Sequence, residues 1–177
     1  IVVNEHDWVI VKVINQMEVD GTAVHWHGML MQGTPYADGV PSLTQCTIPP
    51  GGNVEYSFRA SHSGTYWYHG HFIEQYVDGL IGSLIINRIF ADGLTEADKY
   101  GYTSDITLMI QDWHNNEAHR LVTEYFLTPN STGDEPIPDA ILVNSKLSGM
   151  LGLKVCRNET SRLRFVAANA LSMFNIS

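Results

Sequence analysis

Positive charge is scarce in this chain. Only 10 of its 177 residues are Lys or Arg, against 19 Asp and Glu, for a formal net charge of −9. A nucleic-acid partner needs a basic face, which this balance argues against. The same field is compatible with attracting cations, metal ions included. Cysteine is scarce as well. Cys46 and Cys156 stand alone, and neither sits in a C-x-x-C arrangement, which counts against zinc and thioredoxin-like readings. They can pair with each other or with partners elsewhere. No apolar run is long enough to span a bilayer. No leader-like stretch is present, and Ile1 opens directly in strand-like sequence, so a processed start or a missing beginning is expected.

What the chain does have is β-forming sequence. Gly, Thr, Val, Ile and Tyr are plentiful, which favours an all-β fold. Its 177 residues suffice for one well-buried domain and part of another. Trp8 to Asn15 (W-V-I-V-K-V-I-N) reads as a strand buried on both faces. Asn53 to Ala60 alternates cleanly, with Val54, Tyr56 and Phe58 facing inward. Leu80 to Asn87 predicts another buried strand. Met29 to Thr47 carries Gly33, Pro35, Gly39 and Pro41 and reads as a long functional loop. Regular strands with turns between them indicate a β-sandwich or barrel.

Further on, Thr95 to Tyr100 predicts a short helix capped by Thr95, Asp105 to Trp113 a strand, and Glu117 to Phe126 a helix. Thr128 to Asp139 is rich in Pro, Gly, Ser and Asp and reads as a linker. New strands follow at Ala140 to Asn144 and Ser161 to Ala168. The expected organisation is a first domain over 1–127, a linker over 128–139, and the beginning of a second domain over 140–177. Sequons at Asn130, Asn158 and Asn175, beside so few cysteines, favour a secreted glycoprotein.

Half of the 8 histidines fall in two short stretches. Thr22 to Gly28 reads T-A-V-H-W-H-G, and Tyr66 to His71 reads Y-W-Y-H-G-H. Side chains alternate faces along a strand, so residues i and i+2 point the same way, ~6.5–7 Å apart. His25 and His27 therefore share one face, and His69 and His71 share another. Neutral imidazole is a preferred ligand of copper, zinc, iron and nickel. Four imidazoles on two adjacent strands can hold more than one ion. A single H-x-H is weak evidence, because most such pairs are ordinary surface or core histidines. Two of them in aromatic, β-prone surroundings are far more specific. The other histidines have plainer readings: His6 in a turn, His62 exposed, His114 at a strand end, His119 on a helix. Trp26 and Trp67 read as packing residues that fix the ligand strands.

H-W-H-G at His25 to Gly28 and W-Y-H-G-H at Trp67 to His71 resemble the first two copper motifs of multicopper oxidases of the laccase and ascorbate oxidase type. Asp38 to Gly51 (D-G-V-P-S-L-T-Q-C-T-I-P-P-G) resembles the loop between those motifs. Gln75 to Ile86 (Q-Y-V-D-G-L-I-G-S-L-I-I) resembles the stretch that closes the first cupredoxin domain. The resemblance covers nearly the whole chain. It implies an all-β, cupredoxin-like Greek-key β-sandwich lacking its usual first strand, with a fragment of a second such domain. It implies a trinuclear copper cluster, with His25 on the type 2 copper, His27 and His69 on one type 3 copper, and His71 on the other. Asp38 matches a carboxylate that helps deliver protons to oxygen, as groups behind metal ligands commonly do. Its plainer reading is an exposed turn residue. Cys46 matches a cysteine that usually bridges to the C-terminal region, and Cys156 matches no family role.

Half of the cluster's histidines and all ligands of a type 1 copper are missing from this sequence. The remainder of the oxidase is therefore expected as a partner. The activity implied is one-electron oxidation of a small reducing substrate, a phenol or aromatic amine, coupled to four-electron reduction of dioxygen to water. Ferrous iron is the alternative substrate. A non-catalytic extracellular copper-binding module is the alternative of a different class. Such a relative is expected to lose cluster ligands, and all four stand here. A copper nitrite reductase shares the fold but has different ligand motifs.

Overall fold

A computed structural model of the chain describes residues 1–129, 131–147 and 152–176. The strands are β1 (Val2–Asn4), β2 (Trp8–Ile14), β3 (Val24–His27), β4 (Asn53–Arg59), β5 (Gly64–Gly70), β6 (Ile81–Asn87), β7 (Tyr102–Trp113), β8 (Ala140–Val143), β9 (Lys146–Leu147) and β10 (Thr160–Ala167). Two short helices are α1 (Glu96–Tyr100) and α2 (Ala118–Leu121).

One sheet has the order β1-β6-β5-β3, with β1 parallel to β6 and the other pairs antiparallel. β2 and β4 form an antiparallel pair. Each strand sends alternate side chains inward. Val9 comes from β2, Tyr56 and Phe58 from β4, Val24 and Trp26 from β3, and Leu84 and Ile86 from β6; together they form one buried core. Trp26 is at its centre, with the rings of Tyr56, Phe58 and Tyr68 at 5.7, 5.0 and 5.6 Å. Aromatic pairs of this kind add about 0.5–1.5 kcal/mol each beyond their burial.

β2 departs from the expectation of two buried faces. Val9 is buried, but Trp8, Ile10 and Ile14 are exposed. Among the described residues β2 pairs with β4 alone, and its inward face meets the core. An apolar run by itself does not reveal whether a second layer covers the outer face.

The other sheet has the order β10-β7-β8-β9. β7 lies parallel to β10 and antiparallel to β8. A strand that the sequence reading assigns to the first domain thus pairs with strands on the far side of 128–139. Buried Arg164 of β10 grips Asp105 through two 2.7 Å hydrogen bonds and donates to Thr65 Oγ1 of β5 at 2.9 Å. That side chain ties the two sheets together. Buried Asp112 accepts from the N–H groups of Ala170, Leu171 and Ser172 at 2.8, 3.0 and 3.0 Å. Burial alone would raise its pKa, but these donors outweigh burial and hold the carboxyl below its ordinary value.

The helix expected near Thr95 forms, and its cap is reciprocal. Asp98 N–H donates to Thr95 Oγ1, and Thr95 N–H donates to the Asp98 carboxylate. The helix expected over 117–126 splits into α2 and a wider, π-helical turn over Val122–Phe126. Asn158 sits in an exposed turn at φ 63°, and Asn175 is exposed. Asn130 lies outside the described residues. Cys46 and Cys156 are exposed and not joined to one another. Among the described residues, no helix is long and apolar enough to cross a membrane.

Candidate metal centre

The centre is built on the β3–β5 ladder. His25 lies opposite His69, and His27 lies opposite Trp67. Directly opposed residues share a face, so these four side chains sit on one side. Trp26 and Tyr68, the intervening pair, sit on the core side. The ring centroids of His25 and His27 are 5.6 Å apart, and His25 is 5.3 Å from both His69 and His71. His25, His27 and His69 each present a nitrogen within 4.8 Å of the others. Among the described residues, no other trio of His, Cys, Asp or Glu comes as close.

β5 ends at Gly70, so His71 follows the strand instead of lying in it. Its N–H donates to Ala23 O at 2.9 Å. Its exposed ring lies 5.8 Å from that of His69. The structure thus gathers all four sequence-predicted histidines, with His71 slightly apart from the trio.

The hydrogen bonds decide which nitrogens are free. His25 Nδ1 lies 2.7 Å from Asp38 O, and His69 Nδ1 lies 2.9 Å from Gly70 O. A carbonyl only accepts, so each Nδ1 carries the hydrogen and each Nε2 keeps its lone pair. His27 Nδ1 is 3.2 Å from His69 Nε2. Two nitrogens on one tetrahedral ion, each ~2.0–2.1 Å from it, lie ~3.3–3.4 Å apart. The pair is therefore spaced to converge on a single ion.

His69 and His27 are also held in the neutral form. Burial pushes His69 down to about 4, against the hydrogen bond to Gly70 O, with further lowering from His25, His27 and His71. His27 is held below its ordinary value by partial burial and then by repulsion from His25 and His71. Neutral imidazole is the form that binds metal.

Asp38 reaches the site by close approach of the loop. A short turn over Pro35–Ala37 ends at Asp38, and Gly39 follows at φ 80°. A Cβ at Gly39 would lie 1.8 Å from Val24 O. Glycine alone lets this loop rest on β3 and bring Asp38 O to His25. The Asp38 carboxylate is 3.4 Å from the same Nδ1. The carboxylate was visible in the sequence, whereas the closer, main-chain partner was not.

Other neighbours brace the face. Trp67 stacks on His27 at 5.1 Å and 28°, and its ring lies 4.4 Å from that of His69. Gly82 faces Tyr68, whose ring would meet a Cβ there at 2.1 Å. The remaining histidines stay outside the trio. His6 occupies a turn at φ 76°. His62 is half-buried edge-on against Tyr66, not exposed as expected, because Ser61 Oγ and the Tyr66 ring enclose it. His114 is buried, and its Nε2 has no hydrogen-bond partner among the described residues. His119 on α2 is exposed, 3.8 Å from Glu74. Sequence reasoning also missed Gln75, a polar residue in a loop with no periodic signal.

Comparison with known proteins gives the same direction. Two family models described as multicopper oxidase match residues 1–89 and 104–177. An iron transport multicopper oxidase of Schizosaccharomyces pombe is 36% identical over 178 residues, covering 99% of this chain and 27% of the relative. Laccase-1 of Cryptococcus neoformans var. neoformans is 35% identical over 191 residues, covering 98% of this chain and 30% of the relative. Among solved structures, Fet3p, a multicopper oxidase that functions in iron import, has a TM-score of 0.84 at 35% identity, over 96% of this chain and 30% of that one. The chain therefore spans between a quarter and a third of each of these three proteins. Multicopper oxidases bind copper, and an all-imidazole donor set in which His27 Nδ1 and His69 Nε2 lie 3.2 Å apart suits that metal. That likeness runs through both matched segments and over the same cupredoxin-type β-sandwich, so the chain belongs to the multicopper oxidase family.

Proposed function

We propose that this chain supplies half the histidines of a trinuclear copper cluster in a larger oxidase. That oxidase couples one-electron oxidation of a small substrate to reduction of dioxygen to water. The observation that carries the reading is the 3.2 Å approach of His27 Nδ1 to His69 Nε2 beside His25 and His71. Copper held there supplies the one-electron redox chemistry that dioxygen reduction needs.

The chain's own residues would divide the work. His27 Nδ1 and His69 Nε2 would hold one type 3 copper, His71 would serve the other, and His25 Nε2 would serve the type 2 copper. Asp38 O orients His25 through its Nδ1 hydrogen, and the Asp38 carboxylate exchanges protons at the edge of the site. Trp67 limits rotation of His27 and shields His69.

A phenol or aromatic amine is the reducing substrate in this reading. Ferrous iron is the second reading, favoured by the likeness to iron transport oxidases. Further cupredoxin domains complete the cluster and carry the type 1 copper. The pairing of β7 with β8 and β10 favours a boundary between the two domains near 88–101 over one at 128–139. Secretion, glycans at exposed Asn158 and Asn175, and a bridge from Cys46 to a later region belong to the same proposal.

The test is His27→Ala in the full-length oxidase, with dioxygen uptake followed on a phenol and on ferrous iron. Dioxygen uptake is expected to be abolished, while a single anaerobic oxidation of the preferred substrate persists. Turnover at the unsubstituted rate would overturn the assignment.

A further inference from the structure

The spacing of His25 and His71 depends on how the segment after β5 is held against the segment before β3. Gln75 makes that connection. Its Oε1 accepts from Thr22 Oγ1 at 2.7 Å, and its Nε2 donates to Gly21 O at 2.8 Å. Thr22 is buried, and its backbone bridges to Ile48. Three residues after it comes His25, and four residues before Gln75 comes His71. The strand end adds the bond from His71 N–H to Ala23 O on the same side. Leu80 N–H donates to Gln75 O at 3.1 Å, and Gly70 N–H donates to Leu80 O at 2.8 Å, so the loop closes on itself around Gln75.

We propose that Gln75 is a positioning residue for the copper site, latching the loop that follows His71 to the strand entry that precedes His25. The proposal rests on the assignment of those histidines as copper ligands. Both amide ends of Gln75 are used, one as acceptor and one as donor. No aliphatic side chain does this, and a carboxylate would face Gly21 O with no hydrogen to give. Without the latch, the main-chain bonds of the loop remain, but the side-chain tie between the segment after His71 and the segment before His25 is lost, and the spacing of the two rings is less tightly fixed. Partners that orient ligands without touching the metal typically account for about 10–100-fold in metal affinity or activity.

The experiment uses the full-length oxidase carrying Gln75→Leu, with Thr22→Val and Thr22→Ser as companions. Copper retention is measured against a chelator, with the electron paramagnetic resonance signature of the type 2 copper and the thermal midpoint followed in parallel. Gln75→Leu is expected to retain copper about tenfold less well and to alter the type 2 signature. Thr22→Val, nearly isosteric but lacking the hydroxyl, is expected to move both readouts the same way by less, and Thr22→Ser to restore them. If Gln75→Leu fails to fold, the Thr22 pair decides alone. A lowered thermal midpoint with unchanged retention and signature would mean a merely structural role and overturn the latch. His25→Ala serves as the control on the underlying assignment. Copper lost there but kept in Gln75→Leu sinks only the latch, whereas copper kept in His25→Ala sinks the ligand assignment itself.

Discussion

The two sheets are held by different chemistry. Every member of the main buried core, from Val9 to Ile86, lies in the first 86 residues. Around the second sheet and α2 polar residues make up a larger share of the buried set: Gln111, Asp112, His114 and Arg164 beside Leu108, Ala118, Leu121, Val166 and Ala168. The first region is a packed interior with Trp26 at its hub. The second is fastened by charge-assisted hydrogen bonds, at Arg164 to Asp105 and at Asp112 to the 170–172 loop. The metal centre stands on the packed region. Four imidazoles held about 5 Å apart need strands that do not shift, and dense apolar packing supplies that rigidity.

The comparison can be broken most forcefully at its hub. Trp26→Ala is expected to destabilise the full-length protein by about 3–5 kcal/mol in urea denaturation, because the cavity cannot collapse among Tyr56, Phe58 and Tyr68. Copper should be lost with it, since His25 and His27 flank Trp26. Retained stability would mean the core is not centred there. In the second region, Asp105→Ala removes both 2.7 Å hydrogen bonds from the buried Arg164 guanidinium, leaving it Thr65 Oγ1 and a Glu96 carboxylate at 4.0 Å, and is expected to cost about 3 kcal/mol. Arg164→Met, which keeps apolar volume and removes the charge, should cost far less. Equal losses from the two would show that the clamp acts by packing rather than by charge.

Asp112 sharpens the contrast through pH. Its folded pKa lies below the ordinary value of 3.8, so its contribution is full above 3.8 and is lost as pH falls through the folded value. Denaturation midpoints measured at descending pH should drop more steeply for the unsubstituted protein than for Asp112→Asn. Parallel curves would remove Asp112 from the account. The smallest effect is expected on the outer face of β2. Ile10 is 63% exposed, so Ile10→Ser should change stability by no more than about 0.5 kcal/mol. A large loss would mean that this face is covered in the complete protein.

What the sequence made legible follows from the range of the signals. H-x-H in a β-prone stretch carries the period-two geometry, so the shared face of His25 and His27 was readable before any coordinates, whereas the placing of His69 on that same face, with His71 beyond the end of β5, was not. The inward set of β4 and the cap at Thr95 were legible for the same reason: each depends on residues a few positions apart. Long-range relations were not legible. Gln75 meets Thr22 across 53 positions, and no local pattern marks that meeting. Asp38 orients His25 through its carbonyl, a group every residue has. The allegiance of β7 depended on β8 and β10, two partners that both lie beyond 128–139 in sequence. The apolar run of β2 looked the same whether one face was covered or two.

The most direct test of the central claim is anomalous diffraction at the copper absorption edge from crystals of the full-length oxidase. The account predicts a peak in bonding reach of both His27 Nδ1 and His69 Nε2, with separate peaks at His25 Nε2 and at His71. An anomalous map with no copper at His69 Nε2, from a fully copper-loaded protein, would contradict it.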